Sequence, residues 1–570
     1  MRSWDTRRLR RVAAWTGTVA GAALLGSCGG GGSSSDSADS AGNATPSGNA
    51  TPSSNAISTA ASTATVGAAV STLAGGATQS TSGGTTTTDT GGVGTLSSSS
   101  TGAAGTITGV GGASGASTTG APLAALTVSN LAIEPNPRMT LSAYVSWTTS
   151  EAANSEVQFG TDGYQFRIVD SNEVTEHRVH VVGMRAETAY VIKAVSTNQA
   201  AAGSAEGSFT TGPVPADLPA SGTLVADQRD KMQPGWTLTN YHVGGSSNFS
   251  TSPAIIALLD EEGAVVWYFV HGDSADQFGM TSTEWLPNGH VLIGNASAEP
   301  AREVDLEGNV LWEGPTGGEP ALSHHTSKLS TGNYLVLRES NTSARVEEIS
   351  PDNSVVWSWD LYDHLQPTTT AADWCHLNAV TTDAAERFLY FNCRFQGLFK
   401  VDRSTKELVW QMGAAIDDSS SGDIVYLPDN SVRFNDAHDP DVYEDGTVVF
   451  YDNQGWANHM GGEGNGTFHS RVVEYAIDET TLEATLTWEF PGSFEVDPWY
   501  KEQWQTPIWG DADRLENGNV LVTAGVRGAG THTRIFEVSR GGEVVWGIEW
   551  PENNGSYRAD RIPALAERIP

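Results

Sequence analysis

Three histidines and one arginine in the second half of the chain stand at places that repeat. His325 lies seven residues before the hairpin glycine Gly332, and His438 lies eight before Gly446. His376, in Trp374-Cys-His376-Leu-Asn-Ala-Val380, holds the same place ahead of the apolar run Phe388-Leu-Tyr-Phe391, while Ser282 and Asp511 take it before Gly289 and Gly518. A lone histidine is normally a satisfied core residue. Three at equivalent positions argue for imidazoles that converge to act as nucleophile, base or acid, or as metal ligands. Arg394 ends Phe388-Leu-Tyr-Phe-Asn-Cys-Arg394, so an antiparallel return places it beside His376. A guanidinium there grips two oxygens of a tetrahedral oxyanion and repels a metal cation. The set therefore reads as an anion site, with no metal and no cofactor expected. His324 is the alternative to His325 as the channel-facing member of its pair, and Arg338 is a weaker arginine of the same kind.

These residues need a scaffold that brings repeat-equivalent positions into one ring. An acidic or polar turn, a small residue, two apolar residues and a tryptophan recur six times, ending at Trp267, Trp312, Trp357, Trp410, Trp488 and Trp546. Repeats of about 40–50 residues built from short strands are what propeller blades require. Hairpin turns such as Pro287-Asn-Gly289, Thr331-Gly332-Asn333, Glu444-Asp-Gly446 and Glu516-Asn-Gly518 supply the glycines. The expected fold class is all-β: a six-bladed β-propeller over 222–570, with inner strands lining the channel and tryptophans packed between blades. A small β-sandwich over 123–213 precedes it, read from alternating strands, a core Trp147 and a corner Tyr190 that resemble a fibronectin type III module. His177 and His180, three apart on one strand, are expected as surface histidines rather than metal ligands.

The N-terminal part has no such pattern. Residues 1–28 carry Arg2, Arg7, Arg8, Arg10 and Arg11, an apolar run from Val12 to Leu25, and the ending Leu25-Gly-Ser-Cys28. This reads as a lipoprotein-type export signal with Cys28 lipidated, giving a membrane-anchored protein that faces the periplasm or cell surface. Residues 29–122 are rich in Gly, Ser, Thr and Ala and read as a disordered linker. With 67 acidic against 31 basic side chains, the net charge of −36 excludes nucleic acid as a partner and demands a local positive site for any anionic substrate. Cys375 and Cys393 face each other across the predicted hairpin, as two buried thiols by first reading and a disulfide by second.

Four separate segments then resemble the bacterial arylsulfate sulfotransferases. They are Asp373-Trp-Cys-His376-Leu-Asn378, Cys393-Arg394-Phe-Gln396 through Val409-Trp-Gln-Met-Gly413, Asn435-Asp-Ala-His438-Asp439 through Asp452-Asn453, and Ser470-Arg-Val-Val-Glu-Tyr475 through Thr487-Trp-Glu-Phe-Pro491. The resemblance spans about Gly222 to Pro551. It implies a propeller that moves a sulfuryl group from an aryl sulfate to a phenol without a nucleotide donor, through a transient sulfohistidine at His438. His376, Arg394 and His325 are implied as supporting residues, and Arg394, Asn378 and His324 as substrate contacts. Against it stand a non-catalytic propeller binding glycans or matrix, and a sulfate-ester hydrolase at the same site.

Overall fold

The computed structural model describes residues 16–18 and 124–569, except 244–253, 273–281, 295–298, 366–373, 416–422, 425–433, 435, 455–469, 501–505, 507 and 526–531. Cys28 and the linker lie outside the described residues.

From residue 222 onward six antiparallel sheets form the six-bladed propeller. The second blade runs Thr283–Trp285, Val291–Ile293, Arg302–Val304, Val310–Glu313, and the third Ala321–Lys328, Tyr334–Ser340, Ser343–Ile349, Val355–Asp360. The fourth blade starts at Leu377–Thr382, the fifth at His438–Val442 and the sixth at Asp511–Arg514. The hairpin glycines 289, 332, 446 and 518 have φ between 80° and 87°, the left-handed conformation that the turn demands.

The first blade is completed from the far end of the chain. Its strands Trp236–His242, Ala254–Leu259 and Val265–His271 gain Ala559–Ile562 as the innermost strand. The sixth blade in turn gains Thr223–Asp227 outside Val544–Glu549. Both ends of the domain thus lock the ring. Beyond that strand, Glu567–Arg568 pairs with Phe166–Val181 of the preceding module, so the last described residues serve the module's sheet.

The tryptophan repeat has a structural cause. In every blade the fourth strand pairs with the third through a register shift one step before the tryptophan. Glu303 faces Trp312 while Val304 faces Val310, and Glu537 faces Trp546 while Val538 faces Val544. The same shift occurs in the other four blades. A bulge puts one extra residue into the strand, so two apolar residues in succession no longer break the alternation of faces. Each indole then lies against the next blade. Trp267 Nε1 donates to Leu306 O at 2.9 Å, Trp357 to Arg403 O at 3.0 Å, Trp488 to Arg540 O at 3.0 Å, and Trp546 closes the circle by donating to Glu261 O at 2.9 Å. Trp312 instead stacks on Tyr334 of the third blade at 3.6 Å. The apolar core follows suit and lies between blades, as where Leu292, Ala301 and Trp312 meet Tyr334, Val336 and Ile349.

The module before the propeller is a single hydrogen-bonded sheet in which the long strands Ala143–Gly160 and Phe166–Val181 carry both halves. Trp147 is buried, and Tyr190 Oη accepts from Arg185 N at 2.8 Å. His177 is not a surface residue. It stacks on Trp147 at 4.7 Å and bonds Ser155 and Thr149, because strand alternation sets it on the face of the buried Val179 and Val181. Arg185 bridges to Asp260 and Glu262 of the propeller.

Cys375 and Cys393 form a disulfide with Cα atoms 4.7 Å apart, which replaces the expectation of two thiols. Cys375 precedes the paired part of its strand, and this places the two sulfurs within bonding reach.

Two outcomes follow. Thiol titration of the denatured, unreduced protein should find neither Cys375 nor Cys393; two reactive thiols there would contradict the bond. Opening this 18-residue separation by Cys375→Ala with Cys393→Ala should lower stability by about 3 kcal/mol on the chain-entropy model. Trp546→Ala removes a fully buried indole together with the bond that closes the ring, and should cost about 3–5 kcal/mol in a denaturant titration.

Candidate active site

The third, fourth and fifth inner strands all break register at one level of the channel. The breaks lie between Ser323 and Thr326, between Leu377 and Ala379, and between His438 and Asp441. Backbone at this level is left-handed at residues with side chains: φ is 33° at His324, 57° at His376, 60° at Asp436, 41° at Asp439 and 68° at Trp509. Each such residue costs on the order of 1–3 kcal/mol, and this kind of strain gathers where side chains are aimed for function.

The breaks decide which side chains meet. His324, not His325, joins the cluster: its ring stands edge-on to His376 at 4.9 Å and lies 6.2 Å from Tyr557. His438 meets the same Tyr557 edge-on at 6.2 Å. Arg394 sits beside them, with its N–H donating to His376 O at 2.9 Å as the antiparallel return requires. Its Nε pairs with Asp436 at 3.2 Å, and its guanidinium lies 5.1 Å over Phe395. His376 is fixed through its backbone, whose N–H donates to the Glu339 carboxylate at 2.6 Å.

His325 has other neighbours. Its Nδ1 accepts from Val380 N at 3.1 Å and lies 3.3 Å from Arg558, and it lines a cavity of about 590 Å³ together with Trp285, Asp441, Asp513 and Asp560. His325 thus stands beside Arg558, whereas the rings of His324, His376 and Tyr557 stand against one another. Asn378 is not placed as a substrate contact. It is fully buried, its Nδ2 donates to Ala437 O at 2.9 Å and its Oδ1 accepts from Asn392, so it braces the strand entering His438. Arg338 is held by Glu347 and by the carbonyls of Gly317 and Pro320, away from the histidines.

Hydrogen bonds fix the tautomers of the two buried imidazoles. Asn453 Nδ2 donates to Thr506 O at 2.7 Å and Trp509 O at 2.6 Å, so its Oδ1 is the acceptor facing His438 Nδ1 at 2.6 Å. Asp436 O, at 2.9 Å from the same nitrogen, also accepts. The proton of His438 is therefore on Nδ1 and the lone pair on Nε2. Likewise the Ser323 hydroxyl donates to Leu377 O, which leaves it to accept from His324 Nδ1 at 2.6 Å and puts the lone pair of His324 on Nε2. Burial holds both rings neutral far below the usual imidazole range. For His324 the neighbouring imidazoles His376 and His438 add to burial, and for His438 Arg394 does.

Tyr557 and Arg558 precede no hairpin glycine of the repeat and lead into Ala559–Ile562, the strand that completes the first blade. Burial raises the Tyr557 hydroxyl to about 12, so it keeps its proton at neutral pH. Arg558 donates to Asn378 O at 2.8 Å and pairs with Asp439 at 3.0 Å. Trp509 packs edge-on to Tyr557 at 5.7 Å, and Phe395 lies 5.6 Å from the His376 ring. Among the described residues no group of three or more His, Cys, Asp and Glu is arranged to hold a metal ion.

The arylsulfotransferase (ASST) family model matches residues 222–558, more than half the chain and the whole ring through Arg558. The chain belongs to the arylsulfotransferase family. That membership makes it a sulfotransferase in general terms, with small-molecule aryl sulfates and phenols as the family's substrates. No curated protein matches this arylsulfotransferase. Among solved structures, a protein of unknown function from Bacteroides caccae is 15% identical, covering 59% of this chain and 93% of its own at a TM-score of 0.31. A Lactobacillus plantarum protein is 12% identical, covering 59% and 96% at 0.26. Likenesses this low carry no argument.

Burial of the imidazoles in this arylsulfotransferase predicts its response to acid. His242 and His271 are held down to about 3 by burial, and His324 and His438 are lowered for the same first reason. In the unfolded chain each binds a proton near pH 6.5, whereas the folded protein refuses it until much lower pH. The stability they contribute is thus complete above about pH 6.5. It is lost as pH falls toward 3, at ~1.4 kcal/mol per pH unit for each ring. Denaturant titrations at pH 7.5 and 5 should show this fall, and His324→Gln should make it shallower. Equal stability at both pH values would contradict it.

Proposed function

We propose that the protein is an aryl-sulfate sulfotransferase that carries the sulfuryl group on His438 in a ping-pong reaction independent of nucleotide sulfate. The observation that supports this most is the lone pair of His438 Nε2. It belongs to a ring held neutral and oriented by Asn453, with the Arg394 guanidinium beside it.

In the first half-reaction Nε2 attacks sulfur, the N–S bond forms, the S–O bond to the aryl oxygen breaks, and the aryl oxide leaves with the electron pair. The carrier ring keeps its proton on Nδ1. In the second half, the oxygen of a phenol attacks sulfur and its proton passes to His324 Nε2, while the N–S bond returns its electrons to His438. Sulfuryl transfer has a loose transition state with charge on three oxygens, so positioning and electrostatics provide most of the catalysis. Arg394 and the Tyr557 hydroxyl, which stays protonated, offer donors to those oxygens, and His376 orients the group. Phe395 and Trp509 supply aromatic surface for the aryl ring.

Intact mass after mixing enzyme with an aryl sulfate and no acceptor should show a sulfuryl adduct, absent in His438→Ala. Arg394→Ala should fold and lose about 10²–10³ in rate, on the order of 2.7–4 kcal/mol by analogy with oxyanion-hole deletions. An adduct that survives His438→Asn would move the carrier elsewhere. Phenol release that does not respond to an added phenol acceptor would make the protein a hydrolase.

The location of the activity rests on the leader. Lipidation of Cys28 would tether an exported protein to a bacterial membrane, its propeller facing the periplasm or the cell surface. Cys28→Ala should therefore release the protein from the membrane fraction; retention after removal of the leader would count against the anchor.

A further inference from the structure

The partner of His438 is a carboxamide where histidine nucleophiles and bases are often oriented by a carboxylate. The surroundings of Asn453 require this choice. Its Nδ2 donates to two backbone carbonyls, Thr506 O and Trp509 O, at 2.7 and 2.6 Å, and the residue is fully buried. A carboxylate at this place would set an anionic oxygen against both carbonyls. Its carbonyl oxygen Oδ1 is left to meet His438 Nδ1 at 2.6 Å. Asp436 turns its backbone carbonyl toward Nδ1 and its side chain toward Arg394.

If His438 carries the sulfuryl group as proposed above, this neutrality has a chemical consequence. Attack through Nε2 with the proton retained on Nδ1 leaves a cationic, N-sulfonated ring. A carboxylate partner would stabilise that cation and strengthen the carrier's hold on the group, because charge-assisted hydrogen bonds are about twice as strong as neutral ones. A carboxamide orients the ring without compensating its charge, and Arg394 beside it disfavours the cation further. The ring therefore remains a good leaving group for the second transfer. We infer that Asn453 is a positioning residue that fixes the His438 tautomer and, by presenting a neutral acceptor, keeps the sulfohistidine short-lived.

The experiment has three parts on the full chain. Imidazole ¹⁵N spectra of histidine-labelled enzyme at pH 7, with the His438 signals assigned by their loss in His438→Gln, should show Nδ1 protonated and Nε2 bare. A proton on Nε2 overturns the inference. Rapid-quench mass spectrometry with an aryl sulfate alone, followed by a phenol chase, should show the Asn453→Asp adduct discharging about ten-fold more slowly than wild type. Asn453→Ala should form adduct more slowly without prolonging its life. Equal discharge rates in wild type and Asn453→Asp, or an equally prolonged life in Asn453→Ala, overturn the inference. If Asn453→Asp does not fold, the wild-type tautomer and the Asn453→Ala arm decide. Absence of any adduct in wild type sinks the carrier reading itself, and is thereby distinguished from failure of the Asn453 role.

Discussion

A single junction, repeated around the ring, carries the architecture: a β-bulge that turns one tryptophan of each outer strand toward the next blade. The bulge places two apolar residues in succession and re-aims the indole, and in four of the junctions its N–H reaches a backbone carbonyl across the interface. Opposite the tryptophans stand buried charges that pair across blades, such as Glu348 with Arg403, Glu474 with Arg540 and Glu537 with Arg561. Such pairs add little net stability over apolar packing, but breaking one leaves a buried charge uncompensated. The ring is thus specified at each interface by shape and by polarity together, and the channel-lining strands are held in a fixed relation.

The histidine cluster uses that rigidity. His324 and His376 occupy left-handed backbone and His438 stands at a strand interruption, a local cost that the packed interfaces sustain. Burial keeps His324 and His438 neutral, and the hydrogen bonds from their Nδ1 atoms leave the lone pairs on Nε2. Within a chain of net charge −36, Arg394 and Arg558 place cationic groups at this level of the channel. Each is partly compensated by an aspartate, Asp436 and Asp439, which makes the local field a matter of geometry rather than of net charge.

The C-terminal segment links the parts. Ala559–Ile562 completes the first blade, Tyr557 and Arg558 just before it stand against the histidines, and Glu567–Arg568 joins the sheet of the preceding module. One short stretch therefore closes the ring, furnishes the site and ties the module down.

The repeat itself was legible in the sequence: six tryptophan motifs and explicit hairpin glycines determined a six-bladed propeller, and antiparallel return from His376 placed Arg394 beside it. The choice between His324 and His325 was not settled, because inner-strand alternation is interrupted and a one-residue slip reverses every side chain. A signal did exist. His324, like His438, lies eight residues before its glycine, whereas His325, Asp439 and Asp511 lie seven before theirs and line the channel cavity. Asn378 looked like a ligand contact by its neighbours in sequence, and only the approach of Ala437 from another blade showed where its amide is used. Tyr557 and Arg558 carry no repeat signature, since the strand they precede joins a blade more than 300 residues away in the chain. Local pattern determined which elements exist and their order. Which side chains meet was decided by bulges and by ring closure, both of which depend on contacts between blades that no single segment encodes.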